Sequence, residues 1–284
     1  MQPMFKICNK RRLNSNVTLI DVEAPAVAKK AKAGQFIILR TDEFGERVPF
    51  TIAGCDREAG TVQVIYQIVG KTTMQLDTLE AGDCLADFAG PLGKPTEIEG
   101  LDRVAVVGGG VGCAIAMPIA KALHEQGSKV DIIAGFRSKD IVILEEEMRG
   151  MCDNYYLMTD DGTAGEHGFT TTKLQQLLEA GEKYDCVIAI GPVIMMKFVV
   201  ATAKPFDVPT MVSLNPIMID GTGMCGCCRV SINGEMKFAC VDGPDFDGYS
   251  VDFDELIRRN GYYKEQEAHG KEHICNLTGG VRHA

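Results

Sequence analysis

The stretch RVAVVGGGVGCAIAMPIAKALHEQG, residues 103–127, joins a short β-rich run, a glycine-rich turn and a helix-like segment. The turn follows VAVV directly and carries four glycines. Glycines without side chains let the backbone approach a pyrophosphate, and the N-terminus of the next helix favours its negative charge. Gly109, Gly110 and Gly112 are therefore candidate nucleotide-binding residues. The turn departs from the full G-x-G-x-x-G pattern, so a tight turn without a ligand is the alternative.

Three further β-rich runs, which begin at Lys129, Asn154 and Tyr184, alternate with helix-like segments. This alternation predicts a parallel α/β domain over residues 99–216. The last run ends in Gly191-Pro192, and the first turn of the helix that follows could face a nicotinamide. A plain strand-to-helix turn is the alternative.

The ends of the second and third runs bear on the choice of dinucleotide. No acidic residue closes the second run, which ends in GFRSKD. Arg137 and Lys139 could meet the 2′-phosphate of NADP, although basic residues at a helix start are common, so NAD and NADP both stay open. Asp160 and Asp161, in the turn after the third run, lie either near the nucleotide or in a solvated Asx turn.

Residues 1–98 contain closely spaced short β-rich runs bounded by glycine, aspartate and charged turns, which predicts a small antiparallel barrel. Two stretches in it stand out. RVPFTI, residues 47–52, offers a cation for a phosphate, a ring to pack and a hydroxyl for a flavin edge. YQIVGKTT, residues 66–73, places a glycine, a lysine and two hydroxyls before a helix-like segment, as in an anion cradle. Taken alone, each stretch also fits an ordinary strand and turn.

The chain has eleven cysteines, of which seven are scattered and four lie between residues 225 and 240. A chain of 284 residues can bury its own core and does not need disulfides to stabilise it. Free thiols together with one metal-type cluster indicate a reducing compartment, so we expect a cytoplasmic protein.

The four-residue series Asp220-x4-Cys225-x2-Cys228-x11-Cys240 has the C-x4-C-x2-C…C spacing of a [2Fe–2S] loop, with aspartate in the first place. Glycines within the series give the loop freedom to wrap a cluster and to aim N–H groups at sulfur. Zinc is the alternative metal. Zinc sites usually have a second pair of closely spaced ligands, and this series has only one such pair, Cys225 and Cys228. Cys227 has no assigned role.

Composition excludes some classes of protein. The net charge of −10 argues against nucleic acid or an anionic membrane surface as the main partner. The first residues carry basic side chains without an apolar core after them, so we expect no secretory signal. The longest apolar stretch is broken by Gly191-Pro192 and Lys197, which favours a strand, a turn and a buried helix over a membrane span.

The order of these parts resembles the ferredoxin–NADP reductase superfamily over nearly the whole chain. The matching features are an R-x-P-x-[ST] strand, a G-x-x-T turn, the GGGxG turn and a Gly-Pro-x-x-Met turn. The resemblance implies a β-barrel plus α/β two-domain fold, in which the barrel binds FAD or FMN and the second domain binds NAD(P)H. It implies that the flavin is bordered by Arg47, Pro49, Phe50, Thr51, Tyr66, Gly70, Thr72 and Thr73. Phe50 stands where many members carry tyrosine, so its ring could stack on the flavin without a hydroxyl contact.

The C-terminal [2Fe–2S] loop segment, residues 217–248, narrows this resemblance. Such a loop marks the electron-transfer subunit of dihydroorotate dehydrogenase and its relatives, which carry four cysteines. The aspartate-for-cysteine pattern, with GTGMCG and FACVDGPDFDGYSVDFDEL, is similar to the small subunits of NADH-dependent ferredoxin:NADP oxidoreductases, also known as sulfide dehydrogenases.

The second resemblance implies FAD, a [2Fe–2S] cluster and NAD(H) as cofactors, with NADP(H) as the alternative. It implies metal ligation by Asp220, Cys225, Cys228 and Cys240. It also implies a large flavin and iron–sulfur partner subunit, electron bifurcation by the whole complex, and ferredoxin reached only through the partner.

Three other functions stay open at this point: a dihydroorotate dehydrogenase electron-transfer subunit, a stand-alone NAD(P)H:flavin reductase with a structural zinc site, and a non-enzymatic nucleotide sensor. In residues 249–284 we expect a short helix capped by Asp252 with Glu255 and closed by Gly261. A polar tail, EQEAHGKEH, follows it; we expect this tail to be mobile or bound by a partner.

Overall fold

The computed structural model describes residues 5–277, and the side chains of residues 5–270. Its first part is a seven-stranded antiparallel sheet with strand order β6-β1-β2-β5-β4-β3-β7. Only Ala86 separates β6 from β7, so the two edges of the sheet are joined by adjacent residues and the barrel is nearly closed. The elements are β1 Phe5–Asn14, β2 Val17–Glu23, α1 Pro25–Ala28, β3 Phe36–Arg40, β4 Val48–Asp56, β5 Thr61–Gln67, α2 Lys71–Asp77, β6 Cys84–Leu85 and β7 Asp87–Leu92.

The second part is an α/β layer. Its elements are β8 Arg103–Gly109, α3 Gly112–Glu125, β9 Lys129–Phe136, α4 Glu145–Arg149, β10 Asn154–Thr159, β11 Glu166–His167, α5 Thr170–Glu179, β12 Cys186–Ile190, α6 Val193–Ala203 and β13 Thr210–Ser213. The C-terminal elements are β14 Arg229–Ile232, β15 Glu235–Phe238, α7 Ala239–Asp242, β16 Asp245–Asp247, α8 Phe253–Asn260 and α9 Lys264–Leu277.

The α/β sheet has strand order β11-β10-β9-β8-β12-β13-β16, and only β16 is antiparallel to its neighbour. Helix α3 packs on one face, and helices α5, α6 and α8 pack on the other. The central strands β8 and β12 are almost entirely apolar because both faces of the sheet are covered there. The predicted β-barrel plus α/β fold is confirmed.

The barrel packs against the α/β layer through α3. Ala53 of β4, Leu19 of β2 and Ile65 of β5 belong to the same buried cluster as Ala114 and Met117 of α3. The barrel strand β4 is therefore in direct contact with the helix that begins at the glycine turn.

Strand β3 is buried on both faces. Ile37 and Leu39 point into the barrel core, whereas Phe36 and Ile38 pack against Cys228 and Cys240 of the C-terminal segment. This explains why FIILR is a continuous apolar run without polar alternation. The outer face of β3 is thus the surface on which the C-terminal segment lies.

The expected C-terminal helix is present as α8. Asp252 Oδ1 accepts a hydrogen bond from the N–H of Glu255 at 2.9 Å, and Gly261 follows the last helical residue, so the predicted cap is confirmed. Residues 265–273, predicted to form a tail, lie instead within α9, because lysine, glutamate, glutamine and alanine are strong helix formers. The last part of the expected tail, residues 278–284, lies outside the described residues.

Candidate functional site

Two glycine turns lie against each other at the carboxyl ends of β8 and β12. A Cβ added to Gly191 would stand 3.2 Å from the Cα of Gly109, and one added to Gly112 would stand 2.8 Å from the Cα of Gly191. Neither glycine can gain a side chain without moving backbone. The predicted turn residues Gly109, Gly112, Gly191 and Pro192 are thereby brought together.

This contact lies at the switch point of the sheet, where consecutive strands leave in opposite directions from β8. Open α/β sheets bind ligands in the crevice outside the carboxyl ends of the strands at such a point. Gly110, with a φ of +57°, faces open space, and its N–H donates to the carbonyl of Gly135 at 2.8 Å. The backbone around Gly110 is therefore accessible to a nucleotide.

Arg137 and Asp160 lie along the same edge of the sheet, at the ends of β9 and β10. Both side chains are exposed. The backbone N–H of Asp160 donates to the carbonyl of Phe136 at 3.0 Å, which ties the two turns together.

The neighbouring Asp161 forms a local turn with Thr163, whose N–H and hydroxyl both donate to Oδ1 of Asp161. The Thr163 hydroxyl lowers the pKa of Asp161. The Asx-turn alternative therefore describes Asp161.

The outer face of β4 carries the predicted flavin residues Arg47, Pro49 and Thr51. Pro49 pairs with Ile38, and Thr51 pairs with Phe36, the two residues of β3 that point away from the barrel core. Successive residues of a strand alternate between faces, so Arg47 continues this outer row.

The turn before α2 holds Gly70, Thr72 and Thr73. The Thr73 hydroxyl accepts the N–H groups of Val69 and Gly70 at 3.0 Å each, so it caps its own helix. The Thr72 hydroxyl donates to Glu46 at 2.8 Å. A Cβ at Gly70 would meet no atom of the described residues within 4 Å. The accessible part of this turn is therefore the backbone at Gly70. The hydroxyls of Thr72 and Thr73 already have hydrogen-bond partners within the protein.

Tyr66 and Phe50 occupy a different place from the one that the resemblance implied. Tyr66 is 1% exposed and points into the barrel core, and its hydroxyl lies 3.4 Å from Asp77 Oδ1. The burial raises its pKa. The Phe50 ring, half-buried, packs edge-on against Tyr66 with 6.0 Å between centroids. The alternation of β4 and β5 turns both rings inward, so we correct the prediction: the Tyr66 ring is not available to a flavin, and Phe50 could offer only its exposed edge.

The cluster loop, which we define as residues 219–228, packs on the outer face of the barrel. Gly221, with a φ of +83°, approaches this face so closely that an added Cβ would stand 2.8 Å from Leu92 and 3.0 Å from Ile38. The Sγ atoms of Cys228 and Cys240 lie 3.2 Å apart, and both residues are buried beside Ile38. Two of the predicted ligands are thus brought together.

Cys225 is exposed and receives backbone N–H groups. The N–H of Cys227 lowers the pKa of Cys225, and the N–H of Asp220 acts in the same direction. Burial raises the pKa of Cys240 to about 12, so its thiol is protonated in the metal-free protein; a metal ion would displace that proton on binding. The Cys227 thiol lies 4.0 Å from the Cys225 carbonyl oxygen, and Cys227 keeps no assigned role.

Asp220 directs one carboxylate oxygen inward to its own loop. Oδ2 accepts the N–H groups of Thr222 at 2.9 Å and Met224 at 3.3 Å, and also the Thr222 hydroxyl. These bonds, the Thr222 hydroxyl foremost, lower the pKa of Asp220. Oδ1 has no hydrogen-bond partner in the part of the chain that the structure describes. A carboxylate held in this way has one oxygen left for a metal ion.

The donor set fits an iron–sulfur cluster chemically. Within residues 5–270, no three histidine, cysteine or carboxylate side chains already converge into a metal-holding group. The segment nevertheless supplies three thiols, backbone N–H groups aimed at sulfur and an oriented carboxylate, which is the donor chemistry of such clusters.

Sequence reasoning missed the contact between the barrel and the cluster loop. Arg47 Nε donates to the carbonyl of Ile219 at 3.2 Å, and Nη2 lies 3.5 Å from the carbonyl of Asp220. Arg47 and Ile219 are 172 positions apart, and no local pattern links them. The polar end of Arg47 faces the loop, which only the folded chain could reveal.

Comparison with known proteins agrees with this arrangement. Residues 215–252 match the family described as the iron–sulfur cluster binding domain of dihydroorotate dehydrogenase B. The dihydroorotate dehydrogenase B (NAD(+)) electron transfer subunit homolog of Thermotoga maritima is 45% identical over 274 residues, 96% of each chain. The chain belongs to the family of dihydroorotate dehydrogenase B electron transfer subunits and their homologues. A protein of Clostridium beijerinckii, described as an uncharacterized protein in the adh 3′ region, is 51% identical over 272 residues, 93% of this chain and 92% of its own.

Two solved structures share the fold of this chain. The structure of an NADH-dependent reduced ferredoxin-NADP oxidoreductase, studied for flavin-based electron bifurcation, is 44% identical with a TM-score of 0.90 and covers 96% of this chain and 99% of its own. The ferredoxin reductase of carbazole 1,9a-dioxygenase, at 19% identity and a TM-score of 0.62, shares the fold over 72% of this chain and 66% of its own.

These findings confirm an oxidoreductase electron-transfer subunit with a flavin- and nicotinamide-binding fold and an iron–sulfur segment. A subunit of this kind works with a larger partner subunit. Among the described residues, no helix is long and apolar enough to cross a membrane.

Proposed function

We propose that this chain passes electrons between NAD(H), FAD and a [2Fe–2S] cluster to a large partner subunit, within a bifurcating ferredoxin:NADP oxidoreductase. In this proposal residues 1–98 hold FAD, residues 99–216 hold the nicotinamide cofactor, residues 217–248 hold the cluster, and residues 249–284 form the C-terminal helix and tail. We also propose a cytoplasmic location, supported by the free state of every cysteine that the structure describes.

The observation that carries the proposal is the position of β4. Its beginning, at Arg47, contacts the cluster loop, and its far half, at Ala53, packs on helix α3 behind the glycine turn. Six residues of an extended strand span roughly 20 Å. A flavin lying along the outer face of β4 would therefore lie between the nucleotide crevice and the cluster.

At the nucleotide end, the chain supplies backbone and charge. The glycine turn presents N–H groups at the start of α3, and Gly110 leaves room for a pyrophosphate. Gly191 and Pro192 form the opposite wall of the crevice, where a nicotinamide ring would be oriented toward the barrel. Arg137 and Asp160 border the adenosine side, and the resemblance favours NAD(H) over NADP(H).

At the flavin, Pro49 and Thr51 line the outer face of β4, and the turn from Gly70 to Thr73 offers backbone at the start of α2. FAD, when bound, supplies the conversion between two-electron hydride transfer and one-electron transfer. The barrel core beneath, with Tyr66 and Phe50, makes this surface rigid and excludes water from its lower side.

At the cluster, we assign Asp220, Cys225, Cys228 and Cys240 as ligands. The match of residues 215–252 supports iron and sulfide over zinc. Exposed apolar side chains surround the loop: Ile219 is 47% exposed, Met224 87% and Val241 40%. This rim is the face that we propose the large subunit covers, so that electrons leave from the cluster without crossing water.

The first test is spectroscopic. Anaerobically purified protein should show flavin bands with broad cluster absorption, and analysis should find iron and labile sulfide in equal amounts. Zinc without sulfide would contradict the assignment. With NADH, the isolated chain should reduce artificial dyes but should not reduce ferredoxin. Efficient ferredoxin reduction by the isolated chain would contradict the proposal that ferredoxin is reached only through the large subunit.

A second candidate function is electron transfer for dihydroorotate dehydrogenase, which the names of several relatives support. Asp220, where those relatives carry cysteine by the pattern considered above, favours the first candidate. Reconstitution decides between them: the chain mixed with a dihydroorotate dehydrogenase catalytic subunit should not support NAD⁺ reduction by dihydroorotate.

A further inference from the structure

Arg47 occupies the contact between β4 and the cluster loop. Its Nε donates to the carbonyl of Ile219 at 3.2 Å, and its Nη2 lies 3.5 Å from the carbonyl of Asp220. The side chain is 35% exposed, so its charge is only partly screened by water. The guanidinium thus stands beside the backbone of the first proposed ligand.

The charge of Arg47 is directed at the loop because its acidic neighbour is already paired. Asp87 Oδ2 lies 2.7 Å from Arg40 Nε but 3.8 Å from Arg47 Nη1. Arg40 takes the short contact with Asp87, and its other bond goes to the carbonyl of Glu43 at 2.9 Å, away from the loop. Two arginines therefore share one carboxylate, and only Arg47 also contacts the cluster loop.

We propose that Arg47 is a positioning residue for the cluster: it fastens the Asp220 backbone to β4 and raises the reduction potential of the cluster. This inference rests on the proposed function, because it requires a cluster at Asp220, Cys225, Cys228 and Cys240. It differs from the role that the resemblance implied, in which Arg47 borders the flavin.

The sign follows from charge. Adding one electron to a cluster held by three thiolates and a carboxylate makes it more negative, and a nearby cation stabilises the reduced form. Loss of the cation should therefore make the cluster harder to reduce. Because Arg47 is partly exposed, we expect about a tenfold change in the reduction equilibrium, which corresponds to 59 mV for a one-electron couple.

The experiment is an EPR-monitored redox titration of the full chain as purified with its cofactors, together with iron and FAD content. Arg47→Gln should lower the cluster potential by about 59 mV, the tenfold change, while FAD content stays at the wild-type level. Arg149→Gln, the control, removes an equal positive charge from an arginine that pairs with Glu145 of its own helix α4, and it should shift the potential far less. Arg47→Lys keeps the charge but loses the forked contact, so it should restore at least half of the shift and still alter the EPR line shape.

The outcomes separate this inference from the proposed function. Wild-type protein without iron would overturn both. A wild-type cluster whose potential does not move in Arg47→Gln, or moves equally in Arg149→Gln, overturns the inference alone. FAD loss with an unmoved potential would assign Arg47 to the flavin instead. If Arg47→Gln yields no holoprotein, Arg47→Lys decides: a changed line shape supports the inference, and a wild-type line shape overturns it.

Discussion

Strand β4 lies between two sites that are constructed differently. At one end, the nucleotide turns are defined by close backbone approach: a Cβ on Gly112 would clash with the carbonyl oxygen of Ile190, and one on Gly191 would stand 3.2 Å from the Cα of Gly109. At the other end, the cluster loop is defined by side-chain donors and by hydrogen bonds within the loop, and a small apolar patch together with the Arg47 contacts holds it to the barrel. The first site is fixed by packing before any ligand binds, whereas the second depends on its ligands. Substitutions should therefore fail in different ways at the two ends.

The largest effect is expected from removing a thiol ligand. Cys240→Ser should lower cluster affinity by more than about tenfold, since even the loss of an outer-shell partner costs that much. The flavin bands should remain, because the barrel core does not include Cys240. Iron content and the visible spectrum measure the change. Cys227→Ser is the control and should keep its iron; if both variants lose iron equally, the ligand assignment is wrong.

The next effect is steric and concerns the glycine turn before α3. Gly112→Ala should destabilise the protein by roughly 1–3 kcal/mol, because the added methyl group meets the backbone of Ile190 and Gly191. We expect a lower apparent Tm and about a tenfold higher KM for NADH, with iron content unchanged. In the control Gly150→Ala, the added Cβ has its nearest atom at 3.5 Å. A wild-type KM in Gly112→Ala would show that the crevice is not the nucleotide site.

A smaller effect is expected where one ligand is exchanged for another. Asp220→Cys should keep the cluster but change its EPR signal and lower its potential by about 59 mV, a tenfold shift, because thiolate is a softer and stronger donor than carboxylate. Asp254→Cys, which adds a thiol at a position 80% exposed, is the control. An unchanged signal in Asp220→Cys would mean that the fourth ligand lies elsewhere.

The smallest effect on either site is expected at the seam, by which we mean the contact between Asp245 of β16 and Thr96 of the connection between β7 and β8. Asp245, on β16 near the end of the segment 217–248, accepts a hydrogen bond from Thr96 at 2.6 Å, and its Oδ1 is buried without a hydrogen-bond partner among the described residues. Burial raises the pKa of Asp245 in the folded protein. The free energy of unfolding therefore falls as the pH rises from about 4, the pKa of an unfolded aspartate, to the raised pKa of the folded state. Asp245→Asn should therefore stabilise the protein at pH 7 by roughly 1–3 kcal/mol and have little effect near pH 4.

Thermal melts at the two pH values measure this difference. The control Asp254→Asn, at an exposed position, should show no such pH dependence. A lower Tm at pH 7 in Asp245→Asn would mean that the ionised carboxylate stabilises the seam, contrary to the expectation.

Much of the fold follows from local pattern. The apolar run before the glycines, the alternation of strands with helices and the Asp252 cap are all short-range signals, and each corresponds to an element of the structure. The faces of the barrel strands were harder to assign. FIILR has no alternation because residues from the far end of the chain cover Ile38, and the inward direction of Tyr66 depends on the register between β4 and β5.

The sequence by itself determined the chemical inventory: which glycines can approach a phosphate, which thiols and which carboxylate have cluster spacing, and which segments form strands or helices. These are properties of neighbouring residues and need no long-range information. Only the tertiary structure decided which face of β4 is outward and that Arg47 reaches the backbone of Ile219 and Asp220. It also decided that one strand, β4, lies beside both the cluster loop and helix α3, which begins at the glycine turn. Such contacts join residues far apart in the chain, and they form only when the barrel, the α/β layer and the C-terminal segment bury their apolar faces against one another.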